Sequence, residues 1–204
     1  MNRTGIVNHR RAFFLSTFWL MASLLFVSAE ADCGPKDPMP LRGSFSLVDE
    51  TGKKVTLEGY RGRYLLIYFG YTYCPDICPT SLGIIGEVLD KLSPPALDKL
   101  TPLFVTVDPE RDTVEHVNEY TDAFHPKLIG LTGSVEETNR AAKTFGVYFA
   151  KAEEDPDDPT DYLVDHSSNT FFLDPQGRIV TIFGHAPEVE EVVRNLEQHL
   201  VGEK

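Results

Sequence analysis

The sequence predicts an α/β fold in which a central mixed sheet is flanked by helices within one domain. Two continuous apolar runs, Tyr64–Phe69 and Leu103–Val107, are typical of strands that are buried on both faces of a sheet. Each run is followed by a stretch whose apolar residues recur at helical spacing. This alternation of buried strands and amphipathic helices indicates a sheet that helices cover on both sides.

The chain is long enough for one such domain and a leader. It has 204 residues, of which 42% are hydrophobic and 25% are charged, as in an ordinary globular protein with a core. No segment repeats at a fixed period, and no long linker divides the chain into two folding units. We therefore expect one domain over residues 32–204, after a leader over residues 1–31.

The leader has the layout of a secretory signal. Three arginines precede an uncharged apolar run at residues 12–29, and Ala29-Glu30-Ala31 offers the pattern of small residues at which a signal peptidase cleaves. The run also reaches the lower limit for a membrane span, so an uncleaved anchor helix stays open beside a cleaved signal. Either form predicts a domain in the periplasm or on the extracytoplasmic face of a bacterial inner membrane. A mitochondrial inner-membrane location is less favoured, because the stretch before the apolar run is short.

The acidic balance of the chain argues against a nucleic-acid partner. Its formal net charge is −12, and removal of the leader would take away three arginines but only one acidic residue. Nucleic-acid binding depends on lysines and arginines that neutralise phosphates. An acidic surface instead suits cations or cationic partners, although acidity often serves solubility alone.

The other elements of the predicted fold follow from local signals. Ser44–Val48 and Lys54–Leu57 flank a turn and predict a hairpin. A helix is expected to begin near Pro79, because proline fits a first helical turn, and to end at Pro94-Pro95. Apolar side chains at one helical face predict a further helix at Val117, Tyr120 and Phe124.

The second half of the chain continues the pattern. A strand is predicted over Leu128–Leu131, and Ser134 with Glu137 forms a capping box for a helix through Phe145. A hairpin of Thr170–Leu173 and Ile179–Phe183 and a final helix close the fold. Residues 153–161 hold six acidic side chains, which we interpret as a solvated loop, with a docking surface for a basic partner as the alternative. A thioredoxin-like arrangement accommodates this order of elements.

Two cysteines follow the first buried strand, where the chemistry of such a sheet gathers. Cys74 and Cys78 lie just before or within the first turn of the predicted helix, and the partial positive charge there favours thiolates. A structural disulfide of an exported protein is the alternative. A bridge that closes so short a loop stabilises weakly, so reactivity explains the pair better.

His166 is the candidate for a third functional group. It lies just before the predicted strand at Thr170–Leu173, where a thioredoxin-type oxidoreductase has a proline loop that faces the thiols. A lone histidine is more often a surface residue, but no proline occurs between Thr160 and Asp174, and the paired cysteines favour a site. Two thiolates and an imidazole select soft or borderline metals, copper foremost and zinc as the alternative.

The sequence around Cys74, Cys78 and His166 resembles the Sco/SenC family. The likeness rests on four motifs in order, namely CPDICP at residues 74–79, VDPERDT at 107–113, PKLIGLTG at 126–133 and DYLVDH at 161–166. It covers about residues 40–200. Tyr73 and Thr80 depart from the histidine and glutamate that other members often have, a difference that bears on partner preference rather than on the ligands.

The resemblance implies a thioredoxin-like domain that an N-terminal helix tethers to a membrane. It implies copper, as Cu(I) or Cu(II), bound by Cys74, Cys78 and His166, and a redox-active pair formed by the two cysteines. It also implies a non-enzymatic role in assembling the dinuclear copper centre of cytochrome c oxidase subunit II. Three roles stay open, namely a copper donor, a thiol reductant of that subunit and a redox sensor. The sequence does not distinguish them, because each would use the same two thiolates.

Several other residues are candidates for a role in the site. Asp112 could order the loop that carries Cys74 or the ligand shell, or belong to a structural turn with Arg111. Asp165 could hold His166, add a weak oxygen ligand, or cap a turn. Cys33 is an odd thiol if the mature chain retains it. The remaining histidines of the domain are interpreted as surface residues, namely His116, His125, His185 and His199.

Two other functions compete with a copper carrier. An extracytoplasmic thiol–disulfide oxidoreductase that reduces the cysteines of a copper acceptor would use the same fold and thiols. A thiol peroxidase would need threonine three residues before the first cysteine, where this chain has Tyr71. The aromatic residues Tyr68, Phe69 and Tyr71 are interpreted as core and pocket wall.

Overall fold

A computed structural model of the protein describes residues 38–41, 43–155 and 158–202, all within the compact unit Gly34–Lys204. In these ranges no helix has both the length and the apolar character that a membrane crossing requires. The predicted signal or anchor over residues 1–31 and Cys33 lie outside the described residues.

The described residues form ten strands and five α-helices. The strands are β1 (Met39–Pro40), β2 (Ser46–Val48), β3 (Lys54–Thr56), β4 (Tyr64–Gly70), β5 (Leu100–Thr106), β6 (Ile129–Leu131), β7 (Phe149–Asp155), β8 (Asp158–His166), β9 (Thr170–Leu173) and β10 (Arg178–Phe183). The helices are α1 (Ile77–Lys91), α2 (Pro94–Leu97), α3 (Val114–Asp122), α4 (Val135–Phe145) and α5 (Val189–Leu200).

Six strands form the central sheet, in the order β1-β10-β9-β4-β5-β6. Strands β4, β5 and β6 are parallel, whereas β9 pairs antiparallel with β4, and β10 pairs antiparallel with β9. Every side chain of β5 and β9 is buried, as expected for strands that are covered on both faces. The predicted mixed sheet with flanking helices, and the thioredoxin-like fold, are confirmed.

Three local predictions hold in detail. Ser46–Val48 and Lys54–Thr56 pair as a hairpin, and the turn after Leu173 joins β9 to β10. Ser134 caps α4 in a full capping box with Glu137. Each signal lies within a few neighbouring residues, which is why sequence suffices to find it.

The boundaries of the first long helix differ from the prediction. α1 begins at Ile77, two residues before Pro79, and ends at Lys91. Pro94 and Pro95 do not end it but open the short helix α2. A proline lacks only an N–H that the first turn of a helix leaves unpaired, so it is tolerated there.

The interpretation as a loop is wrong for residues 153–155 and 158–161, which lie in strands. Strands β7 and β8 form a two-stranded antiparallel ribbon outside the central sheet, with Phe149 opposite His166. Along β8, Tyr162 and Val164 are buried while Leu163 and Asp165 are exposed, which is the alternation of a half-buried strand. The run of acidic residues conceals this alternation from a reading of charge alone.

The segments that carry the candidate site residues meet at one edge of the central sheet. Strands β4 and β5 are parallel, so the segments that follow Gly70 and Thr106 leave the sheet at the same edge. β9 runs the opposite way, and its first residue, Thr170, pairs with Tyr68 near the end of β4. The segment before β9, which carries His166, therefore lies near the start of residues 71–76, the loop between β4 and α1 that contains Cys74 and is called the thiol loop below.

Candidate metal centre

The two thiols lie at the junction between β4 and α1. Cys74 is in the connecting loop and is partly buried, whereas Cys78 is in the first turn of α1 and is fully buried. Both are free thiols. The backbone N–H of Cys78 points at Sγ of Cys74, at 3.4 Å, so the helix N-terminus donates directly to the first sulfur.

His166, the last residue of β8, completes a cluster with the two cysteines. Its Nε2 lies 3.2 Å from Sγ of Cys78, although 88 residues separate the two in the chain. The ligand atoms of Cys74, Cys78 and His166 all lie within 4.8 Å of one another. Across the ranges that the structure describes, this is the one such grouping of three metal-ligating side chains.

The orientation of the imidazole is fixed from both sides. Nδ1 lies 3.1 Å from the carbonyl oxygen of Ser167, and because a carbonyl can only accept, Nδ1 carries the proton. The lone pair of Nε2 is therefore free and faces the sulfurs. Tyr68 and Tyr71 meet the imidazole edge to face, with ring centroids 6.3 and 5.8 Å away. The ring is held in the tautomer that a metal requires.

The surroundings of the two sulfurs push their pKa values apart. A hydrogen bond from the Cys78 thiol, helped by the backbone N–H groups of Asp76 and Cys78, lowers the pKa of Cys74 to about 3 against an opposing effect of burial. The same hydrogen bond to Cys74 and then burial raise the pKa of Cys78. At neutral pH the pair thus holds one thiolate on the accessible sulfur and one proton on the buried one.

Gly70 makes room for the buried thiol. A Cβ at this last residue of β4 would lie 2.7 Å from Sγ of Cys78, and 3.0 and 3.1 Å from the rings of Tyr68 and Phe104. Only glycine allows the sulfur to pack against the end of the strand. This role was not predicted from the sequence, although a glycine that ends a buried strand is a sign of close approach.

Asp112 lies behind the thiol loop, fully buried. Its carboxylate accepts hydrogen bonds from the N–H of Thr72 at 3.1 Å, the hydroxyl of Thr72 at 2.6 Å and the hydroxyl of Thr106 at 2.5 Å. Burial raises the pKa of Asp112, although these hydrogen bonds oppose the effect. The carboxylate thus ties the loop that carries Cys74 to the end of β5.

Asp165 is placed differently from Asp112. Its side chain is exposed and projects from the face of β8 opposite to His166, because successive residues of a strand alternate. The metal-ligating cluster found among the described residues does not include it, and Nδ1 of His166 contacts Ser167 instead.

One interpretation of the remaining histidines is wrong. His125 is 8% exposed, and its Nδ1 accepts a hydrogen bond from the N–H of Lys127 at 3.0 Å. It is therefore a buried residue that caps its own turn. His116, His185 and His199 are exposed, as predicted, and the core positions predicted for Tyr68, Phe69 and Tyr71 are confirmed.

Comparison with known proteins identifies relatives over most of the chain. A family described as SCO1/SenC matches residues 34–201. The protein SCO1 homolog 1 of Arabidopsis thaliana mitochondria is 42% identical over 161 residues, which are 77% of this chain and 47% of that protein. The mitochondrial SCO2 homolog of Mus musculus is 40% identical over 160 residues, 78% of this chain and 62% of that protein. The chain thus spans about half the length of these curated relatives.

Solved structures agree with this result. The crystal structure of Arabidopsis thaliana ScoI with copper bound superposes with a TM-score of 0.71 at 38% identity, and the match covers 80% of this chain and all of that one. A copper-bound relative and a cluster of two cysteines and one histidine thus occur in the same fold. On the matched residues and on this likeness, the chain belongs to the SCO1/SenC family.

Proposed function

We propose that this protein binds one copper ion through Sγ of Cys74, Sγ of Cys78 and Nε2 of His166 and delivers it in the assembly of cytochrome c oxidase. The acceptor that we propose is the dinuclear copper centre of subunit II. The observation that carries the proposal is the convergence of the three ligand atoms within 4.8 Å. Membership of a family with a copper-bound structure supports it.

The cluster fits a single metal ion. Thiolate and imidazole ligands lie about 2.0–2.3 Å from an ion such as zinc, so two ligands of one ion are at most about 4.6 Å apart, when they lie on opposite sides of it. The 4.8 Å limit on the three atoms is close to that reach. Two sulfurs with one aromatic nitrogen favour copper over hard cations such as magnesium or calcium, with zinc as the competitor.

Each residue has a separate task in this site. Cys74 supplies a thiolate at neutral pH and is the more accessible of the two sulfurs. Cys78 loses its proton to solvent when a metal arrives, because the metal-bound form is the thiolate. His166 offers a neutral nitrogen whose direction Ser167 fixes. We propose further that Asp112 keeps the thiol loop in place through Thr72.

Replacement of His166 with alanine should weaken Cu(II) binding more than Cu(I) binding. Cu(I) is satisfied by two soft thiolates, whereas Cu(II) gains more from the imidazole nitrogen. Competition titrations of both oxidation states, with the visible spectrum of the Cu(II) form, measure the difference. His185→Ala, at an exposed histidine of the same chain, is the matched control. An unchanged Cu(II) affinity in the His166 variant would remove this residue from the site.

A second candidate function, thiol–disulfide exchange, is favoured by the asymmetry of the two sulfurs. The Cys74 thiolate would attack the disulfide of an acceptor, forming a mixed disulfide and expelling the first acceptor thiolate. Cys78, after losing its proton, would then attack Sγ of Cys74 and expel the second acceptor thiolate. The acceptor gains two electrons, and the chain is left with a Cys74–Cys78 disulfide.

Alkylation of the reduced protein distinguishes the two sulfurs. We expect Cys74 to react with iodoacetamide faster than Cys78, because it is the ionised and more exposed thiol. Copper should protect both, and oxidation should link them to each other. Peptide mass spectrometry after timed quenching measures the order. Faster modification of Cys78, or a native disulfide from Cys33 to either of them, would contradict the scheme.

The cellular role requires a test in cells. Deletion of the protein should lower cytochrome c oxidase activity through loss of the subunit II copper centre, and added copper should partly restore it. A His166→Ala protein should fail to complement at low copper. Normal oxidase activity in a copper-limited deletion strain would refute this role in oxidase assembly.

We also propose that residues 1–31 direct the domain to the extracytoplasmic side of the membrane. An anchor there would raise the effective concentration at which the domain meets its acceptor.

A further inference from the structure

A largely buried arginine outside the cluster contacts the strand that carries His166. Arg111 follows β5, and its Nε donates to the carboxylate of Asp108 at 2.5 Å. Its Nη1 donates to two carbonyl oxygens of β8, those of Thr160 at 3.2 Å and Tyr162 at 2.9 Å. The side chains are 13% exposed for Arg111 and 3% for Asp108, so this ion pair is protected from solvent screening.

The same guanidinium lies among three aromatic rings. Its central carbon is 3.6 Å from the ring centroid of Tyr162, 4.7 Å from that of Tyr73 and 5.8 Å from that of Tyr71. Tyr73 immediately precedes Cys74, and Tyr162 belongs to β8. A cation within about 6 Å of an aromatic centroid is attracted to the ring. Arg111 therefore joins the loop after β5, the ribbon strand and the thiol loop.

Two further hydrogen bonds strengthen this connection. The hydroxyl of Tyr162 donates to Asp108 at 2.7 Å, and the N–H of Val164 donates to the hydroxyl of Tyr71 at 3.2 Å. Both bonds fix β8 within the four residues that precede His166. The contacts of Arg111 act on the same short stretch of the strand.

The ribbon needs such contacts more than the central sheet does. Among the described strands β8 pairs only with β7, in a sheet of two strands, whereas the cysteines follow a strand in the middle of a six-stranded sheet. Two-stranded hairpins are marginally stable in water unless they pack on something else. The position of His166 thus depends on how firmly β8 is held.

We propose that Arg111 is a positioning residue that holds β8, and with it His166, against the thiol loop. The inference rests on the proposed copper site but concerns a residue that touches none of its three ligands. Arginine suits the task because its planar fork donates to Asp108 and to two carbonyls while its face stacks on Tyr162. Lysine, a single ammonium, cannot make these contacts together.

The test compares Arg111→Lys with Arg178→Lys in the full chain. Arg178, the first residue of β10, also pairs with a buried carboxylate, that of Asp174, across the turn that follows β9. For Arg111→Lys we expect Cu(II) affinity to fall about tenfold. This is the lower end of the loss in metal affinity that is typical when a residue orienting a metal ligand is replaced. Cu(I) affinity should not change, because the two thiolates stay in place. Arg178→Lys should leave both affinities as they are.

A metal-free readout separates this inference from the copper site itself. Amide hydrogen exchange at Val164 should be faster in the apo Arg111→Lys protein than in wild type, and unchanged in Arg178→Lys. Wild-type Cu(II) affinity and wild-type Val164 protection in Arg111→Lys would overturn the proposal. Absence of copper binding in wild type would overturn the proposed function, and Val164 exchange would still decide the role of Arg111.

A double variant provides a second test in case the single variant does not fold. If Arg111→Lys fails to fold, Asp108→Asn with Arg111→Gln removes both charges and leaves no buried carboxylate unpaired. The same two measurements apply to it. Faster Val164 exchange with weaker Cu(II) binding in the folded double variant supports the proposal, and wild-type values for both refute it.

Discussion

Replacement of Cys78 with serine is expected to abolish copper binding and the visible absorption of the Cu(II) form. Cys78 is the buried central residue of the proposed site, since its sulfur lies 3.2 Å from Nε2 of His166 and its N–H donates to Sγ of Cys74. A hydroxyl of similar size is a hard, weakly acidic ligand that copper does not prefer. Copper affinity should fall by more than about 10- to 100-fold, which is the loss caused by changes to residues that only orient a metal ligand.

The matched control is Ser81→Ala in the same helix. Ser81 is buried one turn after Cys78, and its hydroxyl has no hydrogen-bond partner among the described residues. This control alters a buried polar atom of α1 without touching a ligand. Copper titration and the visible spectrum, with circular dichroism to check folding, compare the two variants. A Cys78→Ser protein with the wild-type band and affinity would exclude this sulfur from the site.

The parts of the fold that sequence predicts are those with local signals. Apolar runs gave β4 and β5, and the pairing of Ser134 with Glu137 located the start of α4. The cysteines were found because a strand followed by a helix is the place where such sheets bind ligands. His166 was found from its position before β9, at the same edge of the sheet.

The parts that sequence did not predict depend on contacts between distant segments. The ribbon of β7 and β8 lies outside the central sheet, and its acidic residues suggested a solvated loop. Arg111 and Tyr162 are 51 residues apart, and the residues around each of them form no local pattern that predicts their contact. Gly70 gains its role only from the sulfur that packs on it. Each of these features exists only once the tertiary structure has formed.

Replacement of Asp112 with alanine is expected to lower the free energy of unfolding by about 3 kcal/mol, because it leaves buried donors without acceptors. The N–H and hydroxyl of Thr72 and the hydroxyl of Thr106 all donate to this carboxylate. Rotating hydroxyls can find other partners, but the N–H of Thr72 cannot. The thiol loop should therefore loosen, and copper affinity should fall along with stability. Denaturant unfolding of the apo protein measures the first effect.

The charge of Asp112 can be separated from its hydrogen bonds by pH. Burial raises the pKa of Asp112 in the folded state above its ordinary value of 3.8. The folded protein then holds the proton more tightly than the unfolded chain, so this contribution to stability is complete below pH 3.8 and is lost as pH rises through the folded pKa. The stability of wild type relative to Asp112→Asn should accordingly fall with rising pH across that window.

The control for the pH experiment is Asp98→Asn, which removes an exposed carboxyl group. Its stability relative to wild type should not follow the same course. Chemical unfolding at closely spaced pH values from 3 upward resolves the slope. A difference between wild type and Asp112→Asn that grows with pH would mean that the hydrogen bonds to the carboxylate, and not its burial, dominate.

The spacing of the three proposed ligands also bears on how copper would act on the folding equilibrium. Cys74 and Cys78 are four residues apart, whereas His166 is 88 residues beyond Cys78. An unfolded chain can still hold copper between its two neighbouring cysteines, so only the tighter grip of the folded state contributes to stability. In the folded state copper would also bind His166, and unfolding would break this link between α1 and β8. Thermal stabilisation by Cu(II) should therefore depend chiefly on the histidine and should largely disappear in the His166→Ala protein.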